Sequence, residues 1–208
     1  MPEQNIAELA QLISRRAQEL GRVVLVGVDG AGGSGKSTLA ELLSVAMPDS
    51  VMIHVDDFYL PSAQRPEQQD GIADNFDLAR LRAEVLEPAK NGSAVRYQRY
   101  DWDTDALAEW TAVPAGTPLF VEGVYSTQLT LRDFYTFRIF CDTDREVRLR
   151  RGLDRDGEES RSQWVDEWMP AEDRYLGKEA PQSSADLVVN GSNQANSPTP
   201  VFEIEISR

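Results

Sequence analysis

The strongest signal in the chain is the octapeptide Gly30-Ala31-Gly32-Gly33-Ser34-Gly35-Lys36-Ser37. It fits the pattern G-x-x-x-x-G-K-[ST] of the Walker A loop, which binds the phosphates of a nucleoside triphosphate. The apolar run Arg22–Val28 comes before it and predicts a buried parallel strand. Helical spacing follows over Thr38–Ala46 and stops before Pro48. Strand, glycine loop and helix therefore occur in the order that a phosphate-binding loop requires.

The residue types of this loop suit a phosphate ligand. Its glycines permit positive φ and lack the Cβ atoms that would block a phosphate. Successive backbone N–H groups then form an anion nest at the positive end of the following helix. We expect Lys36 to reach the β- and γ-phosphates and the Ser37 hydroxyl to bind Mg²⁺. The predicted triphosphate contacts are Gly30, Gly32, Gly33, Ser34, Gly35, Lys36, Ser37 and Thr38.

Composition narrows the class of protein. The chain has 208 residues, of which 41% are hydrophobic and 27% charged, and this predicts a single globular domain over residues 1–208. The net charge of −14 argues against nucleic acid as a partner, because phosphate backbones are bound by an excess of Lys and Arg. Cys141 is the one cysteine, which fits a reducing compartment. With no signal peptide or membrane span in the sequence, we expect a cytoplasmic protein without a membrane partner.

Predicted strands and helices alternate along the rest of the chain. Apolar periodicity predicts an N-terminal helix ending near Gly21, and Asp77 is expected to cap a further helix. This alternation predicts an α/β protein, a doubly wound parallel sheet with helices on both faces. A helical lid is expected over about 144–177, and a C-terminal tail over about 192–208 either pairs with the sheet or trails. The predicted strands are 51–55, 118–122, 137–141, 185–189 and 201–206, with short strands at 94–97 and 110–113 around an insertion.

Two acids follow predicted strands at the edge where open α/β sheets bind their ligands. Asp56 is expected to end the second strand, and Glu122 to end the strand that begins at Pro118. Mg²⁺ on a triphosphate needs oxygen ligands, and an acceptor hydroxyl needs a carboxylate to take its proton. Asp56 fits both roles and Glu122 fits the first. For either acid, a helix cap or a surface position is the alternative.

Arginines and aromatic residues supply the other candidates. Arg148, Arg151 and Arg155 share one face of a predicted helix, where they would stabilise a transferring phosphoryl group, with Arg151 as the first candidate. A solvated helix is the alternative, because acidic residues are interleaved. His54 falls within a predicted strand, so we interpret it as structural. Aromatic rings that could stack on a base or a sugar, or pack in the core, are Tyr59, Tyr97, Tyr100, Trp102 and Trp110.

Together these motifs resemble the uridine kinase family, P-loop kinases related to phosphoribulokinase and bacterial pantothenate kinase. The resemblance implies a nucleoside-kinase-like fold with a lid, and transfer of phosphate from ATP or GTP, with Mg²⁺, to the 5′-hydroxyl of a pyrimidine nucleoside. It implies Asp56 as catalytic base, Ser37, Asp56 and Glu122 around Mg²⁺, Asp77 on the ribose, Tyr59 and Tyr100 at the nucleoside, and Arg151 and Arg155 on the lid. It rests on the Walker A loop and on Asp56-Asp57-Phe58-Tyr59, Asn75-Phe76-Asp77, Arg99-Tyr100-Asp101-Trp102, Glu122-Gly123, Arg148–Asp156 and Ala185–Gly191.

One segment departs from the family pattern. Similar uridine and cytidine kinases carry a histidine a few residues after the Tyr-Asp-aromatic motif, whereas Asp101-Trp102-Asp103-Thr104-Asp105 has none. An acid accepts hydrogen bonds from amines and hydroxyls, whereas a histidine can donate to a carbonyl. Trp102 and Asp105 are therefore candidate substrate contacts, and a kinase of another alcohol, such as pantothenate, a vitamin-like alcohol or a sugar, is the alternative.

A regulatory NTP-binding switch is less favoured, since the sequence has no Asn-Lys-x-Asp guanine motif. The expected partners are a nucleoside triphosphate and a small alcohol. A homo-oligomer is compatible with the sequence, which does not predict one.

Overall fold

The computed structural model describes residues 2–68, 70–192 and 203–205. Its strands are β1 (Leu25–Asp29), β2 (Val51–His54), β3 (Val95–Asp101), β4 (Ala106–Val113), β5 (Leu119–Glu122), β6 (Phe137–Asp142), β7 (Leu187–Asn190) and β8 (Glu203–Glu205). Its α-helices are α1 (Pro2–Glu19), α2 (Lys36–Ala46), α3 (Leu78–Leu81), α4 (Glu87–Lys90), α5 (Arg145–Asp156), α6 (Met169–Glu179) and α7 (Pro181–Ser184). One π-helical segment, Arg82–Leu86, joins α3 to α4, and another, Gln163–Trp168, leads into α6.

The main sheet, within the described residues, has the strand order β2-β5-β1-β6-β7-β8. Its first five strands run parallel, and the edge strand β8 pairs antiparallel with β7. Glu122 is in register with Val28 on one side and with His54 on the other. The carboxyl ends of β1, β2 and β5 therefore meet beside the Walker A loop.

Both faces of the sheet are covered, which confirms the predicted doubly wound α/β fold. Every residue of β1 and β5 is buried, so up to the acid that ends each strand the sequence is continuously apolar and does not alternate. Leu9 and Leu39 of α1 and α2 pack on one face of the sheet. Leu81 and Leu86, from α3 and the π-helical segment, pack on the other face together with Val95 of the hairpin.

The predicted insertion between residues 97 and 110 is the outer part of a hairpin, whose turn is formed by residues 102–105. β3 and β4 form a two-stranded antiparallel sheet of their own, longer than the two short strands predicted. The Asp101 carboxylate accepts hydrogen bonds from the backbone N–H groups of Asp103 and Thr104 at 2.9 and 3.4 Å. Aspartates stabilise turns through such local bonds, which is why an Asp-rich segment reverses the chain here.

The second strand is one residue shorter than predicted. β2 stops at His54, and Val55–Phe58 form a 3₁₀-helix, so Asp56 lies beyond the strand rather than at its end. Val55 and Phe58 are both fully buried. Residues three apart share a face in a 3₁₀-helix and point to opposite faces in a strand, so burying both of them favours the turn.

Two further features concern the ends of the chain and the membrane. The predicted tail falls largely outside the described residues, which resume only for β8 at Glu203–Glu205. Across the described ranges, no helix combines the length and the apolar character needed to cross a membrane.

Candidate active site

The Walker A loop (Gly30–Ser37) runs from the end of β1 into α2. Gly33 and Gly35 have φ of +74° and +92°, values that side chains disfavour and glycine permits. Gly35 is the residue before α2, and Lys36 is the first residue of the helix. The N–H groups at this helix end are thus presented to the cleft, the arrangement that binds phosphates in proteins.

Gly33 packs tightly against α5. A Cβ atom at Gly33 would lie 2.5 Å from the carbonyl oxygen of Arg148, and its φ of +74° is strained for any side chain. We expect Gly33→Ala to lower the free energy of unfolding by about 2 kcal/mol or more, measured by urea denaturation. The matched control is Gly177→Ala on α6, where a Cβ would meet nothing within 4 Å. Equal stability of the two variants would show that this close packing does not exist.

Glu122 is the carboxylate at the centre of the site, and it is only 5% exposed. Its Oε1 accepts a hydrogen bond from the Ser37 hydroxyl at 2.9 Å and lies 3.9 Å from the Lys36 ammonium. Its Oε2 lies 3.0 Å from His54 Nδ1. Burial raises the pKa of Glu122, but the hydrogen bond with His54, the Lys36 charge and the Ser37 bond outweigh it and hold that pKa below its usual value. Glu122 is therefore an ionised acid between the two functional side chains of the loop.

His54 belongs to this cluster. It lies in the second strand as predicted, but at the end of that strand and not in its interior. It is the last residue of β2, and its side chain is 49% exposed at the sheet edge. The hydrogen bond with Glu122 raises the pKa of His54, burial lowers it, and the charges of Glu122, Asp57 and Asp56 add to the rise. Because β2 ends at His54, this histidine lies at the edge of the sheet, next to Glu122.

Asp56 lies on the 3₁₀ turn beside the cluster. Its carboxylate is exposed and, among the described residues, makes no hydrogen bond and no ion pair. The surrounding protein nevertheless raises the pKa of Asp56 through desolvation, against the opposing charge of Lys36. Asp57 differs, because it is buried and bonds Arg99 Nε at 2.9 Å. Of the two neighbouring acids, Asp56 is therefore the one available to a ligand.

Four aromatic side chains, which we call the aromatic wall, lie together on the side of the site next to Asp56: Tyr59, Phe76, Tyr100 and Trp102. The Tyr59 ring centroid lies 4.2 Å from that of Phe76, 4.7 Å from Trp102 and 6.0 Å from Tyr100. The Arg65 guanidinium stacks over Tyr59 and Tyr100, at 5.2 and 5.6 Å from their centroids. Trp102 is 59% exposed at the rim. The structure thus brings together Tyr59, Tyr100 and Trp102 from the sequence-based candidates.

The other two aromatic candidates lie elsewhere. Tyr97 is buried and stacks on Phe58 with centroids 5.6 Å apart. Trp110 is exposed on the hairpin, where the Arg96 guanidinium lies 4.5 Å from its ring centroid. Core packing and a surface contact account for these two rings.

Asp105 and Asp77, two carboxylates predicted to bind the alcohol substrate, already form hydrogen bonds within the protein. Asp105 accepts hydrogen bonds from the Ser62 N–H at 2.8 Å, from the Tyr100 hydroxyl at 2.6 Å and from the Ser62 hydroxyl. The bonds from Ser62 and Tyr100 lower the pKa of Asp105 to about 2. Asp77 caps α3 as predicted, since its Oδ1 accepts from the Arg80 N–H at 2.9 Å. Both acids therefore fix the segments that border the aromatic wall.

The three arginines of α5 have different surroundings. Arg148 is buried and bonds Glu172 at 2.9 Å. Arg151 donates to the Gly33 carbonyl at 3.2 Å and to the Gly191 carbonyl at 2.8 Å. The Arg155 side chain is 66% exposed and bonds Asp156 at 2.7 Å. That hydrogen bond raises the pKa of Arg155, and the charge of Asp56 adds to it. Arg155 is therefore the arginine whose electrostatic surroundings include Asp56.

Sequence reasoning missed Asp29, the last residue of β1. It is fully buried and accepts hydrogen bonds from the Gly30 N–H at 2.7 Å, from Thr127 N–H and hydroxyl at 2.8 and 2.7 Å, and from the Tyr175 hydroxyl at 2.6 Å. The available signal was an acid that ends an apolar strand directly before the first loop glycine.

A metal ion at this site would need oxygen ligands from a bound phosphate and from water in addition to those of the protein. Across the described part of the chain, no group of three or more His, Cys, Asp or Glu side chains is placed to hold a metal ion. Mg²⁺ takes only one or two protein carboxylates when substrate phosphates and water complete its shell. The Ser37 hydroxyl and the Glu122 carboxylate, 2.9 Å apart, are oxygen donors of the required kind. These residues therefore fit Mg²⁺ that arrives with a triphosphate.

Comparison with known proteins identifies the family of this chain. The model of the Phosphoribulokinase / Uridine kinase family matches residues 25–192. A Staphylococcus aureus uridine kinase is 28% identical over 187 residues, which cover 82% of this chain and 89% of that protein.

Two solved structures share the fold. One is a possible uridine kinase from Bacillus stearothermophilus, with a TM-score of 0.63, 23% identity and coverage of 87% of this chain and 98% of the other. The second is a putative fructose transport system kinase from Silicibacter sp. TM1040, with a TM-score of 0.62, 21% identity and coverage of 86% and 94%. With the family match extending from β1 to beyond β7, the chain belongs to the Phosphoribulokinase / Uridine kinase family and is an ATP-dependent phosphotransferase.

Proposed function

We propose that the chain transfers the γ-phosphoryl group of ATP, with Mg²⁺, to the 5′-hydroxyl of a pyrimidine nucleoside. The observation that carries this proposal is Asp56, whose carboxylate makes no hydrogen bond or ion pair among the described residues and lies near enough to Lys36 and Glu122 for their charges to act on it. Lys36 and Ser37 both approach Glu122 in turn. The uridine kinase relatives support the choice of acceptor.

The donor side is built from the Walker A loop. The backbone N–H groups where the loop enters α2 and the Lys36 ammonium bind the phosphates, and the γ-phosphoryl group then faces Asp56. Ser37 and Glu122 hold the metal, and Mg²⁺ when bound neutralises charge on the β- and γ-phosphate oxygens. His54 keeps the Glu122 carboxylate oriented through its 3.0 Å contact.

The acceptor side is built around Asp56, and the aromatic wall borders it. Asp56 takes the proton of the attacking hydroxyl, a role suited to a carboxylate whose pKa is raised and which makes no hydrogen bond or ion pair with the residues that the structure describes. In this proposal Tyr59, Tyr100 and Trp102, which lie together, contact the nucleoside. Asp77, whose Oδ1 caps α3, binds the ribose through its other carboxylate oxygen.

Arg155 and Arg151 complete the site. Arg155, in the predicted lid at about 144–177, stabilises the transferring phosphoryl group. We choose Arg155 because its positive charge interacts with Asp56, next to which that group would lie. Arg151 ties the same helix to the loop through the Gly33 carbonyl.

One observation favours a second acceptor class, a small alcohol that carries an anionic group. Arg65 donates from Nε to the Leu60 carbonyl at 2.8 Å and from Nη2 to the Tyr100 hydroxyl at 2.9 Å. A guanidinium has five N–H donors, so further ones remain for a ligand at the aromatic wall. Asp105 is 3.9 Å from Arg65 and is already bonded by Ser62 and Tyr100, so it neutralises this cation only in part.

An acceptor panel tests these proposals. ADP formation from ATP and Mg²⁺ is measured with uridine, cytidine, pantothenate, a sugar acid and a neutral sugar, and with no acceptor. Stimulation by uridine or cytidine supports the nucleoside proposal, whereas stimulation by pantothenate or the sugar acid alone supports the anionic class. In the anionic case, Arg65→Gln should lower kcat/KM for the acceptor by about tenfold, the usual loss of a charge-assisted hydrogen bond. ADP formation that no alcohol stimulates would instead favour the regulatory switch.

A further inference from the structure

Helix α6 makes two direct contacts with the start of the Walker A loop region. The Glu172 carboxylate oxygen Oε1 accepts a hydrogen bond from the Gly32 N–H at 2.8 Å. One turn later, the Tyr175 hydroxyl donates to Asp29 Oδ2 at 2.6 Å. Residues three apart lie on the same side of a helix, so a single face of α6 makes both contacts.

The second contact reaches the loop through Asp29. While Oδ2 of Asp29 receives the Tyr175 hydroxyl, Oδ1 accepts from the Gly30 N–H at 2.7 Å. The Gly32 N–H is thus bound by the Glu172 carboxylate of α6. The Gly30 N–H is bound by the Asp29 carboxylate, which in turn accepts a hydrogen bond from Tyr175 of α6. Residues outside the loop therefore hold the first half of the loop in place.

These contacts are buried and specific. Glu172 is 6% exposed, and its second oxygen bonds the Arg148 guanidinium at 2.9 Å, so the carboxylate is paired as well as hydrogen-bonded. Burial raises the pKa of Tyr175 far above its usual value, so its hydroxyl stays a donor. A Cβ at Gly32 would lie 2.9 Å from Glu172 Oε1 and 2.9 Å from the Trp164 ring. The position of Gly32 therefore leaves no room for a side chain beside α6 and the π-helical segment that leads into it.

We propose that Glu172 and Tyr175 are positioning residues that hold the Walker A loop in its phosphate-binding conformation. They act through Gly32 and Asp29 and do not contact the phosphates themselves. A loop fixed in advance does not lose conformational freedom when the donor binds, so the effect falls on nucleotide affinity rather than on the acceptor. The inference rests on the proposed function in one respect only, that the phosphate donor binds at this loop.

Glu172→Gln and Tyr175→Phe test it with a fluorescent ATP analogue and Mg²⁺ as the probe. We expect Glu172→Gln to raise the analogue Kd about fivefold to tenfold and Tyr175→Phe to raise it about threefold, as loss of one buried hydrogen bond does. KM for the acceptor should change less than about twofold, since the lost interactions do not reach it. Tyr175→Phe removes a single oxygen atom, so it remains informative if the glutamine variant folds poorly.

Glu179→Gln is the matched control on the same helix. The Glu179 carboxylate accepts from the Leu129 N–H at 2.7 Å and lies 3.6 Å from Arg132, an environment like that of Glu172 but away from the Walker A loop. It should bind the analogue as the parent does. An equal loss of affinity in Glu179→Gln would mean general loosening of α6 and would overturn the inference.

Lys36→Ala separates failure of this inference from failure of the proposed function. If both α6 variants keep parental affinity while Lys36→Ala loses it, the helix is only structural and the inference is wrong. If Lys36→Ala also binds the analogue normally, the donor site itself is misplaced.

Discussion

Asp56→Asn is expected to lower kcat by a factor of about 10² or more, the usual effect of removing a general base. Asparagine keeps the shape of the side chain but cannot take a proton from the attacking hydroxyl. Because Asp56 makes no hydrogen bond or ion pair with the described residues, the change should leave the fold and the affinity for ATP near their parental values. Steady-state kinetics with a saturating acceptor measure the loss in kcat, and thermal denaturation confirms that the variant is folded.

The pH profile gives a second measurement on the same variant. A base works when deprotonated, so the parental rate should fall as the pH drops through the pKa of Asp56, which lies above the ordinary aspartate value. The residual rate of Asp56→Asn should lack this acidic limb.

Asp57→Asn is the neighbouring control. Loss of its bond to Arg99 lowers stability, while kcat of the folded protein should stay near the parental value. Turnover by Asp56→Asn at the parental rate would remove Asp56 from the mechanism.

Lys36→Ala is expected to lower kcat/KM for ATP by about 10² to 10³, the range for removing one preorganised charge from a transferring group. The Lys36 side chain is only 12% exposed and its ammonium lies 3.9 Å from Glu122, so its positive charge lies at the centre of the site. An alanine at residue 36 removes the positive charge that would bind the phosphates and that faces Glu122. Kinetics at varied ATP and direct titration of the nucleotide measure the two parts of the loss.

Lys90→Ala provides the control for a change of charge alone. Lys90 is exposed on α4, where its ammonium lies 4.9 Å from the Phe134 ring centroid, and its loss should leave the kinetics unchanged. Equal kinetics for Lys36→Ala and the parent would contradict the assignment of the donor site.

Local patterns were enough to predict the centre of the site. A glycine loop between a strand and a helix places Lys36 and Ser37. Parallel strands end at one edge of the sheet, so the acid that ends β5 had to lie near the loop. The 2.9 Å contact between Ser37 and Glu122 is what that argument predicts. The doubly wound sheet followed from the alternation of apolar runs in the same way.

The contacts that sequence reasoning missed depend on partners far apart in the chain. Glu172 is 140 residues from the glycine whose N–H it holds, and Tyr175 is 146 residues from Asp29. No periodicity or motif encodes such a pair before the helix is docked. Asp105 shows the converse, since its type suggested a ligand contact and only the structure shows that Ser62 and Tyr100 occupy it. His54 was expected inside the strand and lies at its end, because strand ends are set by tertiary packing, here the joint burial of Val55 and Phe58.

The most direct measurement follows the γ-phosphoryl group itself, using ATP radiolabelled at the γ-phosphate, Mg²⁺ and each alcohol of the panel. We expect label to appear in a phosphate monoester of one alcohol, formed by the parent and at least about a hundredfold more slowly by Asp56→Asn. Label released only as inorganic phosphate, at a rate that no alcohol alters, would contradict phosphoryl transfer to a hydroxyl at this site.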